Sequence, residues 1–272
     1  MIEFTKMHGL GNDYIYINML EGKNVIEDIE EFTRKVSDRH FGIGSDGVIL
    51  IKESDIADLK MQIFNADGSE AKMCGNGIRC FAKYAYEENI VKKEEFDIET
   101  LAGIRHVKLN IEEQKVKTVR VNMGKAEIGR FIKIKTDDWY IPGTEVNVGN
   151  PHFVIRTEDI DNIDINKYGP IVENHPLFPY RTNVEFIEII DENTIKMRVW
   201  ERGSGETFAC GTGACASFAY CNDEDLVGKS ATVLLKGGEL NIELDEESNE
   251  IFMTGPATRI CSGTIDKSWK KV

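Results

Sequence analysis

Two short segments place the same reactive group in the same setting. Between Glu70–Tyr84 and Glu206–Tyr220, a glutamate, a cysteine, two glycines and a tyrosine recur at one constant offset, half the length of the 272-residue chain. Each segment reads Cys-Gly-x-Gly, as Cys74-Gly75-Asn76-Gly77 and Cys210-Gly211-Thr212-Gly213, and each runs into an Ala- and aromatic-rich stretch of helical character. The first N–H groups of a helix lack partners within it, and its dipole is positive at that end. A thiol placed there is expected to be a stronger acid than a free cysteine. A carboxylate can also dock on the same N–H groups. If both helix starts point into one cleft, an α-carbon held between them has a thiol on each face. One thiolate removes the α-proton and the other thiol returns a proton to the opposite face, while the N–H groups stabilise the charge developing on the carboxylate. That chemistry is inversion at carbon, and it calls for neither metal nor organic cofactor.

Such a duplicated signal implies duplicated scaffolding. A second pair, Gly11-Asn12 and Gly149-Asn150, each followed by an apolar run, repeats at nearly the same offset. Alternating apolar and polar residues predict strands at 2–6, 13–18, 48–52, 60–64, 107–111 and 118–122 in the first half. The second half has counterparts at 153–156, 184–190, 194–200, 231–235, 240–244 and 250–254. An amphipathic helix is predicted over 25–38, and buried helices over 75–88 and 211–221. Helices apolar on most sides must be wrapped by other structure. The expected fold is therefore α/β in the α+β sense: two pseudo-symmetric domains, each a curved, barrel-like mixed sheet around a central helix, with the active site in the cleft between them. The expected boundaries are 1–120 with 260–272 for the domain carrying Cys74, and 121–259 for the domain carrying Cys210.

Composition narrows the function classes. The net charge of −14, without a basic cluster, argues against nucleic acid as a partner. No apolar run reaches the ~18 residues that a membrane-spanning helix needs. The six cysteines, with no secretion-type leader, point to a reducing compartment and a cytoplasmic protein. No Cys-x-x-Cys pair is present, and Cys80, Cys215, Cys221 and Cys261 read as small buried apolar residues. Gly42-Ile-Gly-Ser-Asp-Gly47 matches a dinucleotide-binding glycine pattern, but it precedes a strand instead of following one, so a tight loop is expected. The acidic segment Glu158–Asn166 lacks the glycine and terminal glutamate of a calcium loop and reads as a solvated connection.

The order of the motifs carries a resemblance to diaminopimelate epimerases, cofactor-independent enzymes of lysine and peptidoglycan biosynthesis. The matching segments in the first half are Met7-His-Gly-Leu-Gly-Asn-Asp-Tyr14, Phe41-Gly-Ile-Gly-Ser-Asp-Gly47, Phe64-Asn-Ala-Asp-Gly-Ser-Glu70 and Met73-Cys-Gly-Asn-Gly-Ile-Arg-Cys80. In the second half they are Gly149-Asn-Pro-His-Phe-Val154, Arg181-Thr-Asn-Val-Glu-Phe186, Glu201-Arg-Gly-Ser-Gly-Glu-Thr207 and Ala209-Cys-Gly-Thr-Gly-Ala-Cys215. The related proline racemases carry His where this chain has Asn76, and PhzF-type isomerases lack the cysteine pair. Some members of the family carry Gln where this chain has Gly47.

The resemblance implies roles residue by residue. Cys74 and Cys210 would be the acid/base pair, and Gly75, Asn76, Gly211 and Thr212 would donate N–H groups to the reacting carboxylate. Asn12, Asn65, Asn150, Asn183, Glu201 and Arg202 would line the substrate pocket, with Arg202 on the distal carboxylate. His152 and Glu201 would help to set the protonation of the thiols. The implied partner is a diamino diacid, no cofactor or metal is implied, and a homodimer is expected. Three other readings stand beside this one: a racemase of another amino acid on the same fold, a thiol hydrolase or acyltransferase pairing one cysteine with His152, and a non-catalytic amino-acid-binding module.

Overall fold

Adjacent parallel strands cannot be joined by a tight turn; each such pair needs a crossover, usually a helix. The computed structural model of the chain describes residues 1–136 and 139–266, and its helices serve as these crossovers. Two compact units are present, residues 1–121 with 255–272, and residues 122–254. The expected boundaries were 1–120 with 260–272 and 121–259, and positions 267–272 of that expectation lie outside the described residues.

The first unit contains β1 (Ile2–Gly9), β2 (Asn12–Asn18), α1 (Ile29–Ser37), β3 (Gly47–Lys52), β4 (Leu59–Asn65), β5 (Glu70–Ala71), α2 (Gly75–Glu87), β6 (Glu95–Thr100), β7 (Gly103–Glu112) and β8 (Lys115–Gly124). The C-terminal strand Thr258–Ile265 returns to pair with β1. Across the sheet the order is C-terminal strand, β1, β2, β3, β4, β6, β7, β8, with β5 hydrogen-bonded to β4. The pairs β2–β3 and β4–β6 are parallel. Helix α1 lies between the first pair in sequence and α2 between the second.

The second unit repeats this plan with β9 (Glu127–Lys135), β10 (Tyr140–Asn147), β11 (Pro151–Arg156), α3 (Ile165–Glu173), β12 (Asn183–Asp191), β13 (Thr194–Glu201), β14 (Gly205–Thr207), α4 (Gly211–Asp223), β15 (Ser230–Leu235), β16 (Gly238–Asp245) and β17 (Glu250–Pro256). Its order is β9, β10, β11, β12, β13, β15, β16, β17, with β14 on β13. Again two pairs are parallel, β11–β12 and β13–β15, and α3 and α4 cross them.

The local sequence explains the helix bounds. Asp28 accepts the N–H of Glu31 and caps α1, with acids in its first turn and Arg34 and Lys35 in its last. This cap starts the helix at Ile29, four residues after the expected start. Helix α3 was not expected. Its first two residues, Ile165 and Asn166, lie within the segment read as a connection, and Pro170 inside the helix disguises it in the sequence. The strands β9 and Thr258–Ile265 are exposed along almost their whole length, so no apolar alternation marks them.

Each unit has its own core. In the first, Ile15, Ile17, Val48, Leu50 and Phe64 pack together, with Phe4, Ile29 and Phe32 against them. In the second, Phe153, Phe186, Ile155, Val184 and Ile165 form the cluster, with Trp200 at its border. Helix α2 packs on β1, β2, β3 and β7, and α4 packs on β9 to β13, β15 and β16. A helix with that many strand neighbours must be small and apolar, as Ala214, Cys215, Ala216, Ser217 and Phe218, all fully buried, are. Gly47 shows how tight the packing is. A Cβ there would lie 2.0 Å from the Phe64 carbonyl oxygen on β4, so this backbone has no room for a side chain.

The core assignment has a measurable consequence. Phe153→Ala should cost about 3–5 kcal/mol of unfolding free energy. Phe131→Ala, on the exposed face of β9, should change it by less than about 0.5 kcal/mol. Equilibrium denaturation of the two variants checks the ranking, and a Phe131 effect equal to that of Phe153 would contradict it.

Candidate active site

In each unit a hairpin turn and a helix start bring an asparagine and a cysteine together. Leu10 and Gly11, at φ 56° and 92°, make a two-residue turn of the type that matches strand twist. Asn12 follows as the first residue of β2. In the second unit Gly149 (φ 94°) precedes Asn150. The cysteines are helix N-caps. Cys74 has extended backbone angles (φ −139°, ψ 115°), and its sulfur accepts the Gly77 N–H at 3.3 Å. Cys210 repeats this (φ −122°, ψ 113°), with the Gly213 N–H at 3.4 Å. Each sulfur takes the place usually held by a Ser or Asp oxygen. Gly75, Asn76, Gly211 and Thr212 occupy the first two helical positions, whose N–H groups have no carbonyl to meet within the helix.

The surroundings of the two sulfurs differ. Cys74 is half-buried and donates to Asn12 Oδ1 at 3.2 Å. Asn12 in turn donates to Asp46 Oδ2 at 2.7 Å. Asp46 and Asp13 share the Arg39 guanidinium at 2.9 and 2.8 Å, and Lys6 closes the ion-pair cluster on Asp13 at 2.9 Å. Tyr14, buried beside Cys74, has its phenol pushed well above its ordinary 10.0 by burial and then by that sulfur.

Cys210 is buried. Its Sγ lies 3.5 Å from Thr212 Oγ1, which accepts the Asn150 amide at 3.3 Å. Asn150 Oδ1 lies 3.1 Å from His152 Nε2, and His152 Nδ1 lies 2.7 Å from Glu185 Oε1. The His152 and Glu185 side chains are fully buried. Glu201, at the end of β13, accepts the Thr207 hydroxyl. Burial pushes its carboxyl up, and the nearby Glu185 adds to that.

These neighbours decide the state of Cys210. Burial acts first, then the charges of Glu201 and Glu185, and together they hold the thiol well above its ordinary 9.0. The Thr212 hydroxyl and the Gly213 N–H pull the other way and lose. The sequence-based expectation of a more acidic thiol at a helix start is thus corrected for Cys210, where lost hydration and two carboxylates outweigh the helix end. Cys80, Cys215 and Cys221 are buried as expected, and burial lifts Cys80 to about 11 and Cys221 to about 12. Cys261 is exposed, because the C-terminal strand carrying it is an outer one, and this corrects its reading as a core residue.

The remaining expected residues fall at matching register positions. Gly47 pairs with Asn65 across β3–β4, and the equivalent β12–β13 pairing brings Asn183 level with Glu201. Asn65 donates to Ser69 Oγ at 3.1 Å across its own turn. Asn183 is buried, donates to the Pro151 carbonyl at 2.9 Å and accepts the Arg202 N–H at 3.0 Å. It therefore holds the backbone of Arg202, whose exposed guanidinium donates to the Tyr180 carbonyl at 3.0 Å. Asn76 Oδ1 accepts from Arg79, a fully buried arginine that also holds the Gly75 carbonyl at 3.0 Å. The sequence reading did not single out Tyr14, Arg79 or Glu185. Tyr14 and His152 each stand two residues after the paired asparagine, and comparison of the repeats would have found Tyr14. Among the described residues, no group of three or more His, Cys, Asp or Glu side chains is placed to hold a metal ion. No described helix is long and apolar enough to cross a membrane.

The fold is that of a known class. The chain superposes on a PhzF-family phenazine biosynthesis protein from Bacillus anthracis with a TM-score of 0.76 and 16% identity, covering 96% of this chain and 98% of that one. A probable proline racemase from Agrobacterium radiobacter K84 gives 0.74 and 17%, covering 98% and 94%. At such identities the likeness speaks for the fold alone. The sequence goes further. Residues 4–129 and 144–260 match the diaminopimelate epimerase family. A diaminopimelate epimerase from Methanococcus maripaludis (strain C6) is 50% identical over 97% of this chain and 100% of its own length. The chain belongs to the diaminopimelate epimerase family.

The burial and charge around Cys210 set an expected titration. In the free protein Cys210 should stay a thiol through neutral pH and ionise only above its ordinary 9.0. NMR of protein with cysteine isotopically labelled at Cβ reads this directly, and a midpoint near neutrality would contradict the electrostatic account.

Proposed function

We propose that this chain epimerises diaminopimelate, interconverting the LL and meso forms, with Cys74 and Cys210 serving opposite faces of one α-carbon. The observation that carries the reading is the repeated cap: two cysteines in the same extended conformation, each on the first turn of a helix within the same strand order. Family membership and a relative of the same name at 50% identity supply the substrate.

The geometry suits the chemistry as follows. The N–H groups of Gly75, Asn76, Gly211 and Thr212 receive the reacting carboxylate. As the α-proton leaves, negative charge spreads into that carboxylate, where these fixed donors stabilise it. Cys210, held as a thiol, donates a proton, while Cys74, once it has released the proton it shares with Asn12 Oδ1, accepts one from the other face. The proton inventory balances: one C–H bond breaks to give S–H at one sulfur, and one S–H bond breaks to give C–H at the other. For the reverse direction the roles exchange. Glu201 and Arg202, with Asn65 and Asn183 beside them in register, read the far amino-acid end, and the Arg202 fork suits a carboxylate. The reading includes a cytoplasmic homodimer; analytical ultracentrifugation tests it.

Two outcomes test the reading. Cys74→Ala and Cys210→Ala should each lower kcat by about 10²- to 10⁴-fold with unchanged circular dichroism, whereas Cys261→Ala should have little effect. A variant of either site cysteine that kept most of the activity would remove the two-base mechanism. Lysine lacks the distal carboxylate that the Arg202 fork would meet, so its kcat/KM should fall about 10⁴-fold below that of diaminopimelate. Comparable turnover of lysine, proline or histidine would reassign the chain to another amino-acid racemase.

A further inference from the structure

Glu185 is a charged residue in the interior of a strand that is otherwise apolar here, between Val184 and Phe186 on β12. Its counterpart in the first repeat, at the same offset that relates the two cysteines, is Ile49, equally buried on β3. Nothing in the fold requires a carboxylate at this place, since the first unit builds the same strand without one. A buried carboxylate is costly unless it is paired. One oxygen of Glu185 meets His152 Nδ1 at 2.7 Å, and the other, Oε2, is buried with no hydrogen-bond partner.

The carboxylate also touches the first turn of Cys210's own helix. A Cβ on Gly213 would lie 2.7 Å from Glu185 Oε1 and 3.3 Å from the Cys210 Cβ. Only a glycine lets the carboxylate and the capping sulfur share that turn. A continuous chain of polar contacts then runs from Glu185 to the sulfur: Glu185 Oε1 to His152 Nδ1 at 2.7 Å, His152 Nε2 to Asn150 Oδ1 at 3.1 Å, Asn150 Nδ2 to Thr212 Oγ1 at 3.3 Å, and Thr212 Oγ1 to Cys210 Sγ at 3.5 Å. The first unit is wired differently. There the cysteine leads through Asn12 to Asp46 and the half-exposed Arg39.

We propose that Glu185 is a positioning residue for Cys210, acting through His152, Asn150 and Thr212, and that it keeps this sulfur in its proton-donating form. The proposal rests on the reading of Cys210 as an acid/base group. Three charged or titratable side chains bear on the thiol: Glu201 from the end of β13, Glu185 from β12 and, through Asn150, His152 from β11. Glu185 orients the imidazole, so that Nε2 faces Asn150 and the Asn150 amide faces Thr212. Its negative charge beside the sulfur opposes formation of a second anion there. The two halves of the site are therefore unequal: the half with carboxylates at 185 and 201 holds its sulfur as the acid, and the half with Ile49 and Asn65 in their places lacks both charges.

The test is Glu185→Gln, which keeps the shape and an accepting oxygen but removes the charge. Free protein labelled at cysteine Cβ is titrated by NMR, with the Cys210 signal assigned by its loss in Cys210→Ala. The Cys210 midpoint should fall by about one pH unit, roughly tenfold more thiolate at a given pH, while the Cys74 midpoint stays in place. Turnover should fall by about tenfold in kcat with KM within about twofold, and its pH profile should shift with the thiol. A Cys210 midpoint that does not move, or one that moves together with that of Cys74, would overturn the proposal. The titration needs no substrate, so failure of diaminopimelate turnover would leave its outcome intact; normal turnover with an unmoved midpoint would overturn the Glu185 role alone. If Glu185→Gln gives no folded spectrum, Cys210→Ala reads the chain from its other end. The His152 ring signals should then shift relative to wild type, and unshifted signals would overturn the proposal.

Discussion

The first turn of a buried helix has N–H groups that must find partners, and in this protein a sulfur takes part in meeting that need twice. Cys74 and Cys210 accept the N–H of the glycine three residues on, at 3.3 and 3.4 Å. That single contact fixes the position of each sulfur, the direction of the neighbouring N–H groups and the requirement for glycine at 77 and 213. A Cβ at Gly77 would lie 2.7 Å from Ile49, and one at Gly213 equally close to Glu185. The helices behind these turns are crossovers of parallel strand pairs, so their starts fall at the ends of strands. The turns Leu10-Gly11 and Gly149 then bring Asn12 and Asn150 to the same places beside them.

On this symmetric frame the electrostatics are asymmetric. Cys74 faces Asn12 and Tyr14, both neutral. Cys210 faces Glu201 and Glu185 in a dry setting and is held as a thiol. An epimerase has to accept substrates of either hand, yet it needs one protonated and one deprotonated sulfur in each encounter. In the proposed two-thiol reading, carboxylates in one half supply a bias that a perfectly repeated site would lack. The helix dipole alone would have treated both sulfurs alike, and its contribution at Cys210 is smaller than the cost of burying a second anion beside two existing ones.

The repeat, both helix starts and the principal core strands are legible in the sequence because these carry strong local signals: Gly-x-Gly turns, apolar alternation and small residues in a helix. What local signals do not mark stays hidden. Helix α3 contains Pro170, which masks it, although it begins half a chain length after α1. Strand β10 likewise starts just over half a chain length after β1. Strands β9 and Thr258–Ile265 are exposed and show no periodicity. The weak acidity of Cys210 is hidden because a helix start is visible in one dimension, whereas Glu185 and Glu201 reach the sulfur from separate strands, β12 and β13. Asn183 donates to the Pro151 carbonyl and accepts the Arg202 N–H, contacts that only the β11–β12 register reveals.

The central claim is that two different sulfurs handle the proton, one removing it and the other delivering a solvent-derived one. The direct measurement is a single-turnover reaction of diaminopimelate in D₂O, analysed for isotope at the inverted carbon. The account predicts product that carries deuterium from the first turnover, with little deuterium in unreacted substrate at early times. Product that retains most of its original proton would mean one base carrying it between faces, and would contradict the two-thiol site.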